Sequence, residues 1–352
     1  MDSRIRVAAV GLGWVARHRH LPVMERDARF DLVGVIDRHA GLADAVAKQR
    51  GYRHSACAAA LDQVSWLDDV DAVTVATAPM AHHALVREAL QRGKHVLTEK
   101  PFAMTVAQGE DMVLTAANSG RRLAIVHNFQ FARSTLRLKT DIAAGRLGAI
   151  TGIDAVQFGN PGRRLPEWYE QLPLGLFYDE SPHLLYLMQS IAGPLRLARA
   201  ITVRSRRGLA TPARVAAWFA AETCDCPITL SCNFESPVSE WYLMVFGEKR
   251  LGIIDVFRDI YISLPNDGTH DTRSVLRTSL VGTAQHWLQH VTSGIPHLMG
   301  RLFYGNDHVF DRFARAIAGD TDALEPVGPA NALSVLKLQH AIVDRREEAY
   351  AP

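Results

Sequence analysis

The sequence predicts an α/β protein, with a doubly wound parallel sheet first and a second domain built on an antiparallel meander. Three observations carry that reading. Short apolar runs alternate with helical segments from Ile5 to Val126, a glycine turn follows the first run directly, and beyond Thr151 strand-like runs succeed one another with only polar breaks between them.

The elements follow in order. Val7 to Val10 is apolar and short, as expected of a strand covered on both faces. Gly11-Leu12-Gly13-Trp14-Val15-Ala16 then makes a G-x-G-x-x-A turn running into a helix. Gly11 supplies the tight turn, Gly13 removes the Cβ that would keep a pyrophosphate off the backbone, and Ala16 lets helix and strand pack closely. The helix N-terminus offers free N–H groups to an anion. The next apolar run, Phe30 to Ile36, ends at Asp37, where a carboxylate would reach adenosine ribose hydroxyls and repel a 2′-phosphate. Strand, glycine turn, helix, strand and acid in that order point to a dinucleotide. NAD is the expected cofactor, and Arg38 beside the acid leaves NADP possible.

Leu42 to Gln49 reads as a helix closed by Gly51, Asp71 to Thr77 as a buried strand, and Ala81 to Gln91 as a helix ending at Gly93. The strand His95 to Thr98, the helix Ala103 to Asn118 and the strand Leu123 to Val126 complete a domain over residues 1–126. Residues 127–352 form the second, with a helix near His183 to Ile191 and strands at 200–203, 215–219, 228–233, 242–246 and 251–256. Helices follow at 306–318 and 331–343, and residues 266–304 stay unassigned.

At 352 residues the chain is long for one core, so two domains are expected. Hydrophobic residues at 48% and charged residues at 22% are ordinary for a globular protein. A formal net charge of +2 gives no electrostatic case for nucleic acid. No apolar run reaches the length of a membrane span, and the chain enters its first strand at once, so a cytoplasmic protein with reduced thiols is expected. Cys224-Asp225-Cys226 lacks the second pair of a structural zinc site, and His286 and His290 lack a third ligand, so no metal is expected. Arg163-Arg164 and Arg204-Ser205-Arg206-Arg207 could hold a phosphate, but solvated charges are the commoner explanation.

Two stretches follow strands of the parallel sheet and should border the cofactor groove: Thr77-Ala78-Pro79-Met80-Ala81-His82 and Glu99-Lys100-Pro101. Pro101 restricts the backbone of Lys100 and aims its ammonium. On residue type alone, a surface lysine in a turn is the favoured reading of Lys100. In the second domain Asp179 and His183 are separated by a short turn with Pro182 near a helix start, and a carboxylate beside an imidazole suits proton transfer. For a lone histidine beside an apolar helix, a core or capping residue is the reading that normally wins.

The glycine turn, the Thr77 to His82 segment, Glu99-Lys100-Pro101, Ile142-Ala143-Ala144-Gly145-Arg146-Leu147-Gly148 and the Asp179-x-x-x-His183 motif, in that order and spacing, resemble the glucose-fructose oxidoreductase/inositol dehydrogenase/MocA family. The resemblance implies an N-terminal Rossmann domain and a C-terminal α+β domain with a large, mainly antiparallel open sheet used for homo-oligomer contacts. It implies NAD(P)-dependent oxidation or reduction of a sugar, sugar nucleotide or cyclitol, with Lys100 and His183 catalytic and Asp179 binding or orienting the substrate. Asn128 would serve both cofactor and substrate, and Gln130 and Tyr178 the substrate. Tyr186 stands where many members carry an aspartate, and Asn128-Phe129-Gln130 replaces a frequent Asn-x-Arg. A cofactor-binding regulator without turnover, and a redox-neutral reaction through a transiently oxidised sugar, are the alternatives.

Overall fold

The first apolar run becomes β1 (Ile5–Val10), whose last four residues are buried. The computed structural model describes residues 4–300 and 302–349. It divides into two compact units, Met1–Asn128 with Asn306–Lys337 and Phe129–Gly305 with Leu338–Pro352.

In the first unit β1 leads through a glycine turn to α1 (Leu21–Arg26). β2 (Phe30–Asp37), α2 (Leu42–Arg50), β3 (His54–Cys57), β4 (Ala72–Val75), α3 (His82–Gln91), β5 (His95–Thr98), α4 (Val106–Ser119) and β6 (Leu123–Ile125) follow. The six strands lie in the order β3-β2-β1-β4-β5-β6, and all are parallel. Strand order reverses between β1 and β4, the place where an open parallel sheet accepts a ligand beyond its carboxyl ends. The expected parallel sheet is there because its central strands are continuous apolar runs: every residue of β4 is buried.

The second unit begins with α5 (Arg133–Ala143), β7 (Ile150–Phe158) and α6 (Leu176–Ala192). β8 (Leu195–Val203), β9 (Arg214–Ala221), β10 (Ile228–Asn233), β11 (Glu240–Gly247), β12 (Arg250–Asp255) and β13 (Ile260–Pro265) build the rest of its sheet. The expected meander is in fact two, β8-β9-β10 and β11-β12-β13. They are joined by β7, which pairs parallel with β10 and antiparallel with β11. The stretch left unassigned from sequence holds α7 (Thr272–Leu298), a 27-residue helix along the edge strand β13. Its glutamines bond that edge as another strand would. Ser263 N–H donates to Gln285 Oε1 at 2.8 Å while Gln285 Nε2 donates to Ser263 O at 3.0 Å. Gln289 makes the same reciprocal pair with the backbone of Tyr261.

α8 (Asn306–Ile317) belongs to the first unit, although the sequence assigns residues 306–337 to the second domain. Its apolar face explains this: Val309, Phe310 and Phe313 are fully buried, and the Phe310 ring packs edge-on against His20 and Phe30. α9 (Pro329–Arg345) contributes residues to both units, and β14 (Glu347–Ala349) pairs parallel with β8. The reduced thiols expected for Cys224 and Cys226 are corrected by a disulfide between them, in the loop joining β9 and β10. Cys57 and Cys232 are free. Among the described residues no helix is long and apolar enough to cross a membrane.

Candidate active site

The glycine turn is built by what its residues cannot carry. Gly11 has φ +83°, and a Cβ there would lie 2.7 Å from Thr77 Cγ2, so the turn sits directly on the residue that follows β4. At Gly13 a Cβ would meet nothing within 4 Å, which is the open cradle that a pyrophosphate needs. Leu12 is fully buried, and its N–H donates to Asp37 Oδ2 at 2.7 Å. The other oxygen, Oδ1, accepts from His39 N–H at 2.9 Å. Burial opposes the charge of Asp37, but the Leu12 and His39 donors outweigh it and hold the carboxyl below its usual range. Asp37 therefore anchors the turn.

Trp14 and Val15 open the helix, which widens to a π-helical turn over Ala16–His20. Trp14 is exposed, stacked on His18 and covered by the guanidinium of Arg19. Arg38 is exposed beside Asp37.

The two loops expected at the groove are fastened to each other. The buried ring of His82 lies with Nδ1 2.9 Å from Pro101 O and Nε2 3.1 Å from Thr77 O. It ties the Thr77-Ala78-Pro79 segment to the Glu99-Lys100-Pro101 segment, whose Lys100–Pro101 peptide is cis. Burial lowers the His82 pKa. Glu99, buried, faces Nε2 of the fully buried His20 at 2.9 Å and accepts from Lys100 N–H at 3.2 Å. Burial works against this carboxylate too, but the bonds and charges of His20 and Lys100 together outweigh it and hold the carboxyl below its usual range. His20 was not singled out in the sequence, where it is one of several basic residues in Arg17-His18-Arg19-His20.

In the second unit Asp179 and His183 are one turn apart within α6 and so share a face. The expected short turn between them is corrected: Pro182 lies inside the helix. A proline there has no N–H for the carbonyl four residues back. That carbonyl, Tyr178 O, instead accepts from Gln339 Nε2 at 2.6 Å. His183 is buried, with Nδ1 2.9 Å from Tyr186 Oη, and Phe129 N–H donates to the same oxygen at 3.0 Å. Phe129 and Trp241 flank the imidazole with ring centres 4.7 and 5.5 Å away. Sequence reading noted Tyr186 only as a departure and missed Phe129 and Trp241, which lie far from the motif along the chain.

Tyr178 is not in this cluster. Its ring is fully buried and its hydroxyl lies 2.9 Å from His340 Nε2. Asp179 is half-buried, and Asn128 and Gln130 are buried on the turn Asn128–Phe131. Arg163, read as a solvated charge, pairs with the buried Glu180, which also accepts from Gln157. Among the described residues no group of three or more His, Cys, Asp or Glu is placed to hold a metal ion.

Residues 5–127 match the family model GFO_IDH_MocA, described as an oxidoreductase family with an NAD-binding Rossmann fold. The match is confined to the N-terminal third of the chain, which is similar to this family. Two curated relatives are a putative UDP-kanosamine synthase oxidoreductase subunit of Amycolatopsis mediterranei (strain S699) and D-glucoside 3-dehydrogenase of Escherichia coli (strain K12). The first is 30% identical over 61% of this chain and 59% of its own, the second 32% identical over 42% of each. The chain spans about half the length of the curated relatives it matches. The WlbA dehydrogenase of Bordetella pertussis, solved with NADH and UDP-GlcNAcA, shares the fold with a TM-score of 0.74 and 20% identity, covering 97% of this chain and 95% of that one. Both sheets belong to the part of the chain that shares its fold with that dehydrogenase, and the matched family model is described as NAD-binding. The open cradle at Gly13 and the carboxylate of Asp37 fit that group.

Proposed function

We propose that this chain is an NAD(P)-dependent oxidoreductase acting between a secondary alcohol and a ketone carbon of a sugar, sugar nucleotide or cyclitol. The observation that carries the reading is the imidazole of His183, held at Nδ1 by Tyr186 Oη and walled by Phe129 and Trp241. Nicotinamide, when bound, supplies the two-electron hydride acceptor or donor. In the tautomer in which Nδ1–H donates to Tyr186 Oη, the lone pair of His183 Nε2 is left to take the hydroxyl proton and return it. Lys100, in the segment that Glu99 and His82 fasten, offers a cation to the developing alkoxide. Asp179, on the same face of α6 as His183, accepts from a neighbouring hydroxyl, and Asn128 and Gln130 offer amides to others. The sugar chemistry named for the WlbA dehydrogenase and for the glucoside dehydrogenase supports this substrate class. The family resemblance supports a homo-oligomer.

The test is to incubate the purified protein with a panel of sugars, sugar nucleotides and inositols while following nicotinamide absorbance, with cofactor binding measured separately. Stoichiometric change in absorbance with one class supports the reading. Product formation without net cofactor consumption replaces it with a redox-neutral reaction, and cofactor binding with no turnover of any panel member replaces it with a regulatory role.

A further inference from the structure

We propose that the outward face of α7 is a self-association surface through which two copies of this chain pair antiparallel about a two-fold axis. The proposal is independent of the catalytic reading.

α7 is turned inside out. The face against β13 carries Gln285, Gln289 and Ser293, the last two buried, whereas the opposite face is a single apolar stripe. Leu276, Leu280, Trp287, Val291, Ile295 and Leu298 all fall within about a quarter of the helix circumference at 100° per residue. Each is more than half exposed, Trp287 at 68% and Leu298 at 87%. With their neighbours they present on the order of 1,000 Å² of apolar surface, well above the roughly 300–600 Å² of a typical monomer's largest patch. That is close to the ~800 Å² each partner buries in a standard interface.

The ends of the stripe select the occupant and its direction. From Thr272 to Gly300 there is no acidic residue, and the arginines of α7, Arg273 and Arg277, lie in its first two turns. Parallel pairing would set these cations against their own copies. Antiparallel pairing sets them beside the partner's helix C-terminus, where unsatisfied carbonyls favour positive charge. A register with Leu280 against the partner's Val291, Leu276 against the partner's Ile295 and Trp287 against the partner's Ala284 seats the largest side chain over a small one. A lipid surface would be served by cations spread along the helix rather than gathered at one end.

The mass of the full chain and of three variants, measured by sedimentation velocity and light scattering, tests the pairing. Leu280→Glu and Val291→Lys, both on the exposed stripe, should each halve the wild-type mass with unchanged circular dichroism. The double variant L280E/V291K, which sets opposite charges against each other only in the antiparallel register, should regain it. Equal masses for the wild type and Leu280→Glu would overturn the proposal, and failure of the double variant to regain mass would overturn the register. A wild-type chain that has the mass of one copy and pellets with phosphatidylserine vesicles would assign the stripe to lipid instead.

Discussion

Tyr186 Oη lies 2.9 Å from Nδ1 of His183 and is itself held by the N–H of Phe129, so a neutral hydroxyl orients the imidazole. An aspartate in that place would orient the ring and also stabilise its protonated form. Tyrosine does only the first. Tyr186→Phe should lower kcat by about tenfold with little change in KM, as expected when a positioning bond is lost. Tyr186→Asp should move the acid limb of kcat/KM, the limb set by His183 deprotonation, to higher pH. A pH–rate profile of the three proteins checks both, and a limb that stays in place in Tyr186→Asp would count against His183 as the base.

Lys100→Ala and His183→Ala should each reduce kcat by roughly 10²–10⁴, the range of general acid–base and charge-stabilising groups, with NAD affinity nearly unchanged. The double variant should be no slower than the product and is expected to be well short of it, because groups acting on one proton behave as a unit. Single-turnover rates and cofactor fluorescence titrations measure the two effects separately.

Asp37→Ala should act twice. It removes the acceptor of the buried Leu12 N–H, a loss of about 1–3 kcal/mol of stability. It also removes the carboxylate that disfavours a 2′-phosphate, so the ratio of NADP to NAD dissociation constants should fall. Thermal unfolding reads the first effect and paired titrations read the second.

His127, buried just after β6, has its pKa pushed down by burial to about 3. A histidine kept neutral in the fold contributes its full stability above the ordinary value near 6.5. As pH falls below that, the unfolded chain takes up a proton that the folded one refuses. Stability should therefore drop by about 1.4 kcal/mol per pH unit from this one group until about pH 3. Urea unfolding across that window should show the slope, and His127→Asn should flatten it.

The first unit was legible because its information is local. A buried parallel strand is a continuous apolar run, and Gly11, Gly13 and Asp37 sit within one strand–helix–strand unit. Elsewhere the deciding contacts are remote. Pro182 reads as a helix start, yet α6 runs through it because Gln339 takes the carbonyl that Pro182 leaves without a donor. β7 mixes Thr151, Gly152, Asp154 and Gln157 among its apolar residues, so neither a continuous run nor a clean alternation marks it. α7 escaped because the usual rule is inverted, with amides facing the protein and leucines facing away. His20 and Trp241 came to their sites through tertiary packing alone.

The paired amides of Gln285 and Gln289 occupy the outer backbone of β13, and at the far edge of the sheet β14 is only three residues long and begins with two glutamates. The β13 border is thereby capped, whereas at the other border β14 covers only Ile201–Val203 of β8. If α7 detaches, the β13 border opens beside an apolar stripe that is exposed even in the docked helix. Undocking of a single helix would therefore be enough to place an open strand edge next to an apolar surface, without the melting of a domain.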